Sequence, residues 1–148
     1  MQAQPPAQRG PVGLPAGELS IEGTTRWTLT VVNPRADQIR YVRHQTRLVL
    51  ALWRLTDLMP PVEVLISELA TNVVRHARTP YTVAITWDGH TLRAEVSDGS
   101  PLAPRPPLTS RDDDEGGRGL LLVDAVAAHW GVDLYHDGKT VWFEITRD

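Results

Sequence analysis

Blocks of alternating and helical hydrophobic spacing follow one another along this chain. They predict an α+β fold, a two-layer sandwich whose single sheet is covered on one face. Three observations carry that prediction. Trp27, Leu29 and Val31 alternate with Arg26, Thr28 and Thr30 at a period of two, and stretches 34–55 and 60–77 repeat apolar residues at helical spacing. Two later pairs of alternating runs flank Asp88-Gly89 and Asp137-Gly138, strong tight-turn signals, so the strands pair antiparallel and leave one face for helices.

Residues 1–24 are mostly Gln, Ala, Pro and Gly with scattered polar groups. Such a stretch buries too little apolar surface to offset its ordering entropy, so a disordered tail is expected, with the folded domain spanning 25–148. The first strand ends at Asn33-Pro34. In 34–55, Ile39, Val42, Val49, Leu50 and Trp53 form an apolar stripe, with Arg40, Arg43, His44 and Arg47 beside it. The second helix starts at Pro60-Pro61, where a missing N–H donor costs nothing, and buries Val62, Leu65, Ile66, Leu69 and Val73 before Thr79-Pro80 closes it near residue 77. Tyr81, Val83, Ile85 and Trp87 then alternate, as do Leu92, Ala94 and Val96. Between 99 and 117 the composition turns to Pro, Asp, Arg and Gly, a loop longer than the roughly 12–15 residues usual in a compact domain and so a candidate lid or binding loop. Helical spacing returns at Leu120, Leu121, Val123, Ala127 and Trp130, and a hairpin built on Val132, Leu134, Val141, Phe143 and Ile145 closes the chain. The expected architecture is a mixed, mostly antiparallel sheet covered on one face by three helices.

Composition removes whole classes of chemistry. With no cysteine, disulfide scaffolds, thiolate zinc sites, iron–sulfur ligation and thiol nucleophiles are excluded. A net charge of −3 gives no electrostatic footprint for direct nucleic-acid binding. No apolar run approaches the roughly 18 residues that span a bilayer, and the N-terminal stretch lacks an apolar signal core, so a cytoplasmic protein without a membrane partner is expected. The histidines show no HExxH spacing, and Ser67 and Ser97 sit in neither a GxSxG elbow nor an SxxK pair, which leaves hydrolase chemistry unsupported. The acidic run 112–115 lacks the glycine and closing glutamate of an EF-hand and reads as a solvated lid.

Three features carry candidate chemistry. Glu68, Asn72 and His76 stand at i, i+4 and i+8, along one row of the second helix. An amide oxygen there can ligate Mg²⁺, and a carboxylate one turn away can act as general base on an attacking hydroxyl; a solvated polar row is the plainer alternative. Asp98 continues the inward alternation of Leu92, Ala94 and Val96, so its carboxylate needs a donor such as the exocyclic amine of adenine, unless the strand stops one residue earlier and Asp98 opens a turn. Gly116-Gly117-Arg118-Gly119 runs straight into the helix at Leu120, where backbone N–H groups and the helix dipole favour phosphate, or where glycines serve only as a hinge.

In combination, ELxxNxxxHA over residues 68–77, an aspartate at a strand end, a long loop and GxGL over 117–120 resemble the N, G1 and G2 boxes of Bergerat-fold (GHKL, histidine-kinase-like) ATPases. Within that superfamily, VSDGSP, GGRGLLLVDAVAAHWGV and GKTVWFEI are similar to the short anti-sigma factors that are also serine kinases and to their actinobacterial ATP-binding relatives. The resemblance covers residues 27–145. It implies a Bergerat fold with ATP and Mg²⁺ as cofactors, Glu68 as catalytic base, Asn72 as metal ligand, and Asp98 as the adenine-reading residue. Gly99, Gly117, Arg118, Gly119 and Leu120 complete the nucleotide-binding set with Asn72 and Asp98, His76 is structural, and Arg40 falls near an arginine that faces nucleotide and partner. The implied activity is transfer of the ATP γ-phosphate to a serine or threonine of a small STAS-type anti-sigma-factor antagonist, with a sigma factor as the other partner and homodimer formation left open. A nucleotide-gated binding regulator without kinase activity is the alternative. Two departures stand out: the family's DxGxG is Asp98-Gly99-Ser100-Pro101 here, and the family's threonine position near the purine falls on Lys139, with Thr140 one place off, so no purine contact is assigned there.

Overall fold

Period-two alternation builds the sheet. The structure, a computed structural model, describes residues 17–102 and 129–147. Within them β1 (Leu19–Ile21), β2 (Thr24–Val31), β3 (Tyr81–Trp87), β4 (Thr91–Asp98), β5 (His129–Tyr135) and β6 (Gly138–Thr146) form one sheet in the order β1-β2-β3-β4-β6-β5. Every neighbouring pair is antiparallel. The chain therefore passes from β4 to the edge strand β5 before β6 returns to lie between them.

Trp27, Leu29, Val83, Ile85, Leu92, Val96 and Phe143 all point to one side and are buried. The helices α1 (Ile39–Leu52) and α2 (Met59–Asn72) press Val42, Val49, Leu50, Val62, Leu65, Ile66 and Leu69 into the same core. Each such side chain, taken fully out of water, contributes about 1.5–3 kcal/mol, so this layer dominates the favourable side of folding. The opposite sheet face is polar and tied across strands. Arg26 donates to Thr86 and Glu95 at 3.0 and 3.3 Å, and Arg93 donates to Glu95 and Glu144 at 2.8 and 3.1 Å while lying 4.2 Å from the Trp142 ring centre. Gly131 is required on that face, because a Cβ there would come within 2.8 Å of the Trp142 ring.

The α+β class and the one-sided sandwich agree with the sequence expectation, and three boundaries differ. Order begins before residue 24: Leu19–Ile21 pairs with β2 through a turn in which Glu22 and Gly23 both have positive φ (47° and 82°), the conformation that suits a two-residue hairpin. Leu19 and Ile21 are more than half exposed, so edge hydrogen bonding holds this strand where hydrophobic burial does not, and composition gives no sign of it. The rest of the expected tail, 1–16, lies outside the described residues.

Trp130, expected on the third helix, belongs to β5, where it faces Phe143 while Val132 faces Val141. The pairing with β6 overrides the helical spacing from Ala127, and the expected helix up to residue 128 lies outside the described residues. The first helix ends at Leu52 instead of 55. Arg54 takes a left-handed conformation (φ 60°), and the Leu55 N–H reaches back to the Leu50 carbonyl at 2.8 Å, a C-terminal cap that sends Leu55 fully into the core.

Candidate functional site

The second helix changes character at the residues that matter. α2 runs to Asn72, after which Val73–Ala77 forms a π-helical turn that closes with the Arg78 N–H on the Val73 carbonyl at 2.7 Å and Arg78 in the left-handed region (φ 56°). Turns of this kind recur at functional sites. Glu68 and Asn72 share the α-helical part and so stay one turn apart on the same row. His76 does not: the wider π turn carries it off that row, and it is exposed. The i, i+4, i+8 row expected from spacing is thus a pair followed by a break, because register beyond Asn72 follows the backbone hydrogen bonds and not the residue count.

Glu68 is half-buried and engaged in a polar interaction. Asn72 is also half-buried, yet its Oδ1 is fully enclosed and accepts no hydrogen bond from the described residues. An enclosed amide oxygen without a donor costs about 1–3 kcal/mol, so an atom left in this condition calls for a partner. A hard cation fits that need: Mg²⁺ takes oxygen ligands, uses few from protein, and completes its shell with water and substrate phosphates. Among the described residues no cluster of three or more His, Asp or Glu is placed to hold a metal, so Asn72 is the ligand to test.

An ion pair braces the first helix against the second. The carboxylate of Glu63, buried on α2, receives Arg43 Nε at 3.3 Å and Arg47 Nε at 3.0 Å from α1. Two of the four residues in the basic stripe are thereby committed to holding α1 on α2. Arg40, on the same helix, is exposed.

Asp98 is the last residue of β4 and points inward as the alternation predicts, its side chain 2% exposed. Its position in the sheet is opposite Tyr81 on one side and Lys139 on the other. Lys139 Nζ, at 9% side-chain exposure, lies 3.1 Å from Oδ1 and 3.0 Å from Oδ2, and Oδ1 also accepts the Ser100 N–H at 2.8 Å. Both expected environments of Asp98 therefore coexist: it faces the core side, and it also organises the turn that follows. The Gly99 N–H donates to Thr79 Oγ1 at 2.8 Å, which fastens this turn to the segment leaving α2. Gly138 completes the close approach, since a Cβ there would stand 2.3 Å from the Asp98 carbonyl oxygen.

Tyr81, beside Asp98, is buried with its Oη unpartnered among the described residues, and removal from water pushes its pKa up to about 12. Sequence grounds give Lys139 no role, although they carry a signal for its direction. It stands two residues before Val141 and four before Phe143, so alternation alone directs the chain's single lysine to the same face as Asp98.

The structure describes Glu68, Asn72, Asp98 and Gly99 among the expected site residues. Gly117, Arg118, Gly119 and Leu120 lie outside the described residues. No helix among the described residues is long and apolar enough to cross a membrane.

A Streptomyces coelicolor protein, uncharacterized protein SCO4941, is 41% identical over 80 residues, 51% of this chain and 75% of that protein. The crystal structure of the RsbU and RsbW domains of Rv1364c from Mycobacterium tuberculosis aligns with a TM-score of 0.58 at 21% identity, covering 82% of this chain. The chain spans about a third (33%) of that longer structure, and the likeness is one of fold. The histidine kinase-like ATPase domain matches residues 32–145, from the end of β2 into β6, and with it comes ATP as the nucleotide of the fold. That match takes in both helices and the strands that carry Asp98 and Lys139: the chain belongs to the histidine kinase-like ATPase domain family.

Proposed function

We propose that this domain binds ATP with Mg²⁺ and transfers the γ-phosphate to a serine or threonine hydroxyl of a small STAS-type anti-sigma-factor antagonist, regulating a sigma factor by exchange of partners. The observation that carries the proposal is the enclosed, unpartnered Oδ1 of Asn72 one helical turn from Glu68, in a chain of this family. Asn72 would hold Mg²⁺, which supplies charge neutralisation to the phosphates when bound. Glu68 accepts the proton of the attacking hydroxyl as the new P–O bond forms and the β–γ bridge breaks, with ADP leaving. Such transfer is mostly positioning and charge stabilisation, so one base, one metal ligand and phosphate-facing N–H groups suffice. Gly99, Gly117, Arg118, Gly119 and Leu120 belong to the proposed nucleotide set on the strength of the motif. Likeness in fold to the RsbU and RsbW domains supports partner exchange as the setting.

Incubation with labelled ATP and a candidate STAS antagonist tests the proposal. Label is expected on the antagonist with wild type and absent with Glu68→Ala, at equal nucleotide binding. A nucleotide-gated binding module without transfer is the second reading, and the engagement of Asp98 by Lys139 and Ser100 favours it, because the carboxylate proposed to read adenine is then shared with the chain's own donors. Wild type that binds ATP and the antagonist but moves no label decides for that reading.

A further inference from the structure

At the inner end of β4, Asp98 and Lys139 present a matched buried pair, and the number of donors and acceptors left over is small enough to count. An ionised carboxylate offers about four lone-pair sites. Two on Oδ1 are taken by Ser100 N–H and Lys139 Nζ, and one on Oδ2 by Lys139 Nζ, which among the described residues leaves a single acceptor site on Oδ2. An ammonium has three N–H donors. Two face the carboxylate oxygens, and the third leans on the Ser100 carbonyl at 3.5 Å, the outer limit of a hydrogen bond and easily given up. The pair therefore holds one open acceptor and one loosely held donor side by side, in surroundings where an unmatched polar group is costly.

We infer that Lys139 sets the nucleobase specificity of this site by making it indifferent to the group at purine position 6. This rests on the nucleotide-binding reading above and goes beyond it. A lone buried carboxylate accepts a 6-amino group and rejects a 6-oxo group, because two acceptors then face each other with no proton between them. With Lys139 beside it, a 6-amino purine donates to Oδ2 and a 6-oxo purine accepts from Nζ in place of the Ser100 carbonyl, and in neither case do two acceptors face each other. The arrangement is fixed from both strands. Lys139 and Asp98 are direct partners in the β4–β6 ladder, and the glycine before Lys139 lets the two backbones meet where any Cβ would collide with the Asp98 carbonyl. Rotation of Lys139 away from Asp98 would strand a carboxylate that is 2% exposed, so the ammonium stays in place when no nucleotide is bound.

Titration calorimetry of the full chain with Mg²⁺ and either ATP or inosine triphosphate tests the inference, since these differ only along one base edge, a 6-amino group beside an unprotonated N1 in the first and a 6-oxo group beside N1–H in the second. Wild type is expected to bind the two within about tenfold of each other, where a site built on one unshared acceptor discriminates by roughly a hundredfold or more. Lys139→Thr is expected to shift the ratio toward ATP by about tenfold or more, and Lys139→Arg, which keeps the donor, to leave it near the wild-type value. A wild-type preference for ATP of about a hundredfold overturns the inference without any variant, as does a ratio unchanged in a folded Lys139→Thr. If Lys139→Thr fails to fold, the wild-type ratio still decides. Absence of binding to both nucleotides at millimolar concentration overturns the nucleotide-binding reading itself, an outcome distinct from strong discrimination.

Discussion

The two ends of the candidate site hold their polar atoms in opposite conditions. At the strand end, Asp98 has its carboxylate occupied by Lys139 and by the Ser100 N–H. At the helix end, Asn72 keeps an enclosed amide oxygen that accepts nothing from the described residues. A satisfied end is bound by the protein's own structure, and any ligand group arriving there must share. An unsatisfied end stores a cost that a ligand removes, which is how a fold can hold a metal or phosphate position ready without a cluster of carboxylates. On the proposed reading, the first end would contribute stability and selectivity and the second affinity.

Four experiments test this contrast. Glu68→Ala is expected to cut phosphoryl transfer by about 10²–10⁴-fold while leaving ATP affinity intact, as removal of a general base should; labelled-phosphate assays beside calorimetry measure both, and full activity removes the base assignment. Lys139→Ala should cost about 3–5 kcal/mol in urea unfolding, because it abandons a buried carboxylate, and Asp98→Asn combined with Lys139→Met should restore most of the loss. Equal stability of Lys139→Ala and wild type would mean that the pair is not bound as described.

Tyr81 gives the strand end a signature in pH. Burial raises its folded pKa to about 12, against roughly 10 in an unfolded chain, so the folded state keeps a proton that the unfolded state releases. Stability is then fully present below about pH 10 and falls by roughly 2 kcal/mol as the pH climbs toward 12. Tyr81→Phe should remove that decline, seen as the difference between the two unfolding free energies across the range. The smallest effect on stability is expected at the helix end. Asn72→Ala should alter the unfolding free energy by no more than about 1 kcal/mol, since it deletes an unsatisfied acceptor, yet abolish the Mg²⁺ dependence of nucleotide binding. A large destabilisation with Mg²⁺ dependence retained would reverse the assignment of the two ends.

Much of the fold was legible in advance, and the reason is local. Periods of two and 3.6 are written in consecutive residues, so β2, β3, β4, β6 and both described helices could be found from spacing, and the turns at Asp88-Gly89 and before Gly138 from residue type. The inward direction of Asp98 followed from the same alternation. What spacing could not supply lay where long-range pairing outweighs local preference: the edge strand Leu19–Ile21, the assignment of Trp130 to β5, and the π turn that separates His76 from Asn72.

The residue types alone determined which groups this protein can bring to a reaction: a carboxylate and an amide one turn apart, an inward aspartate, no thiol and a single lysine. Their neighbours were set by long-range packing. Asp98 and Lys139 are 41 residues apart, and the insertion of β6 between β4 and β5 is what brings them within 3.1 Å. Hydrophobic periodicity is a property of neighbours in the chain, whereas the pairing of two charges depends on which strands meet, and that is settled by the packing of the whole sheet.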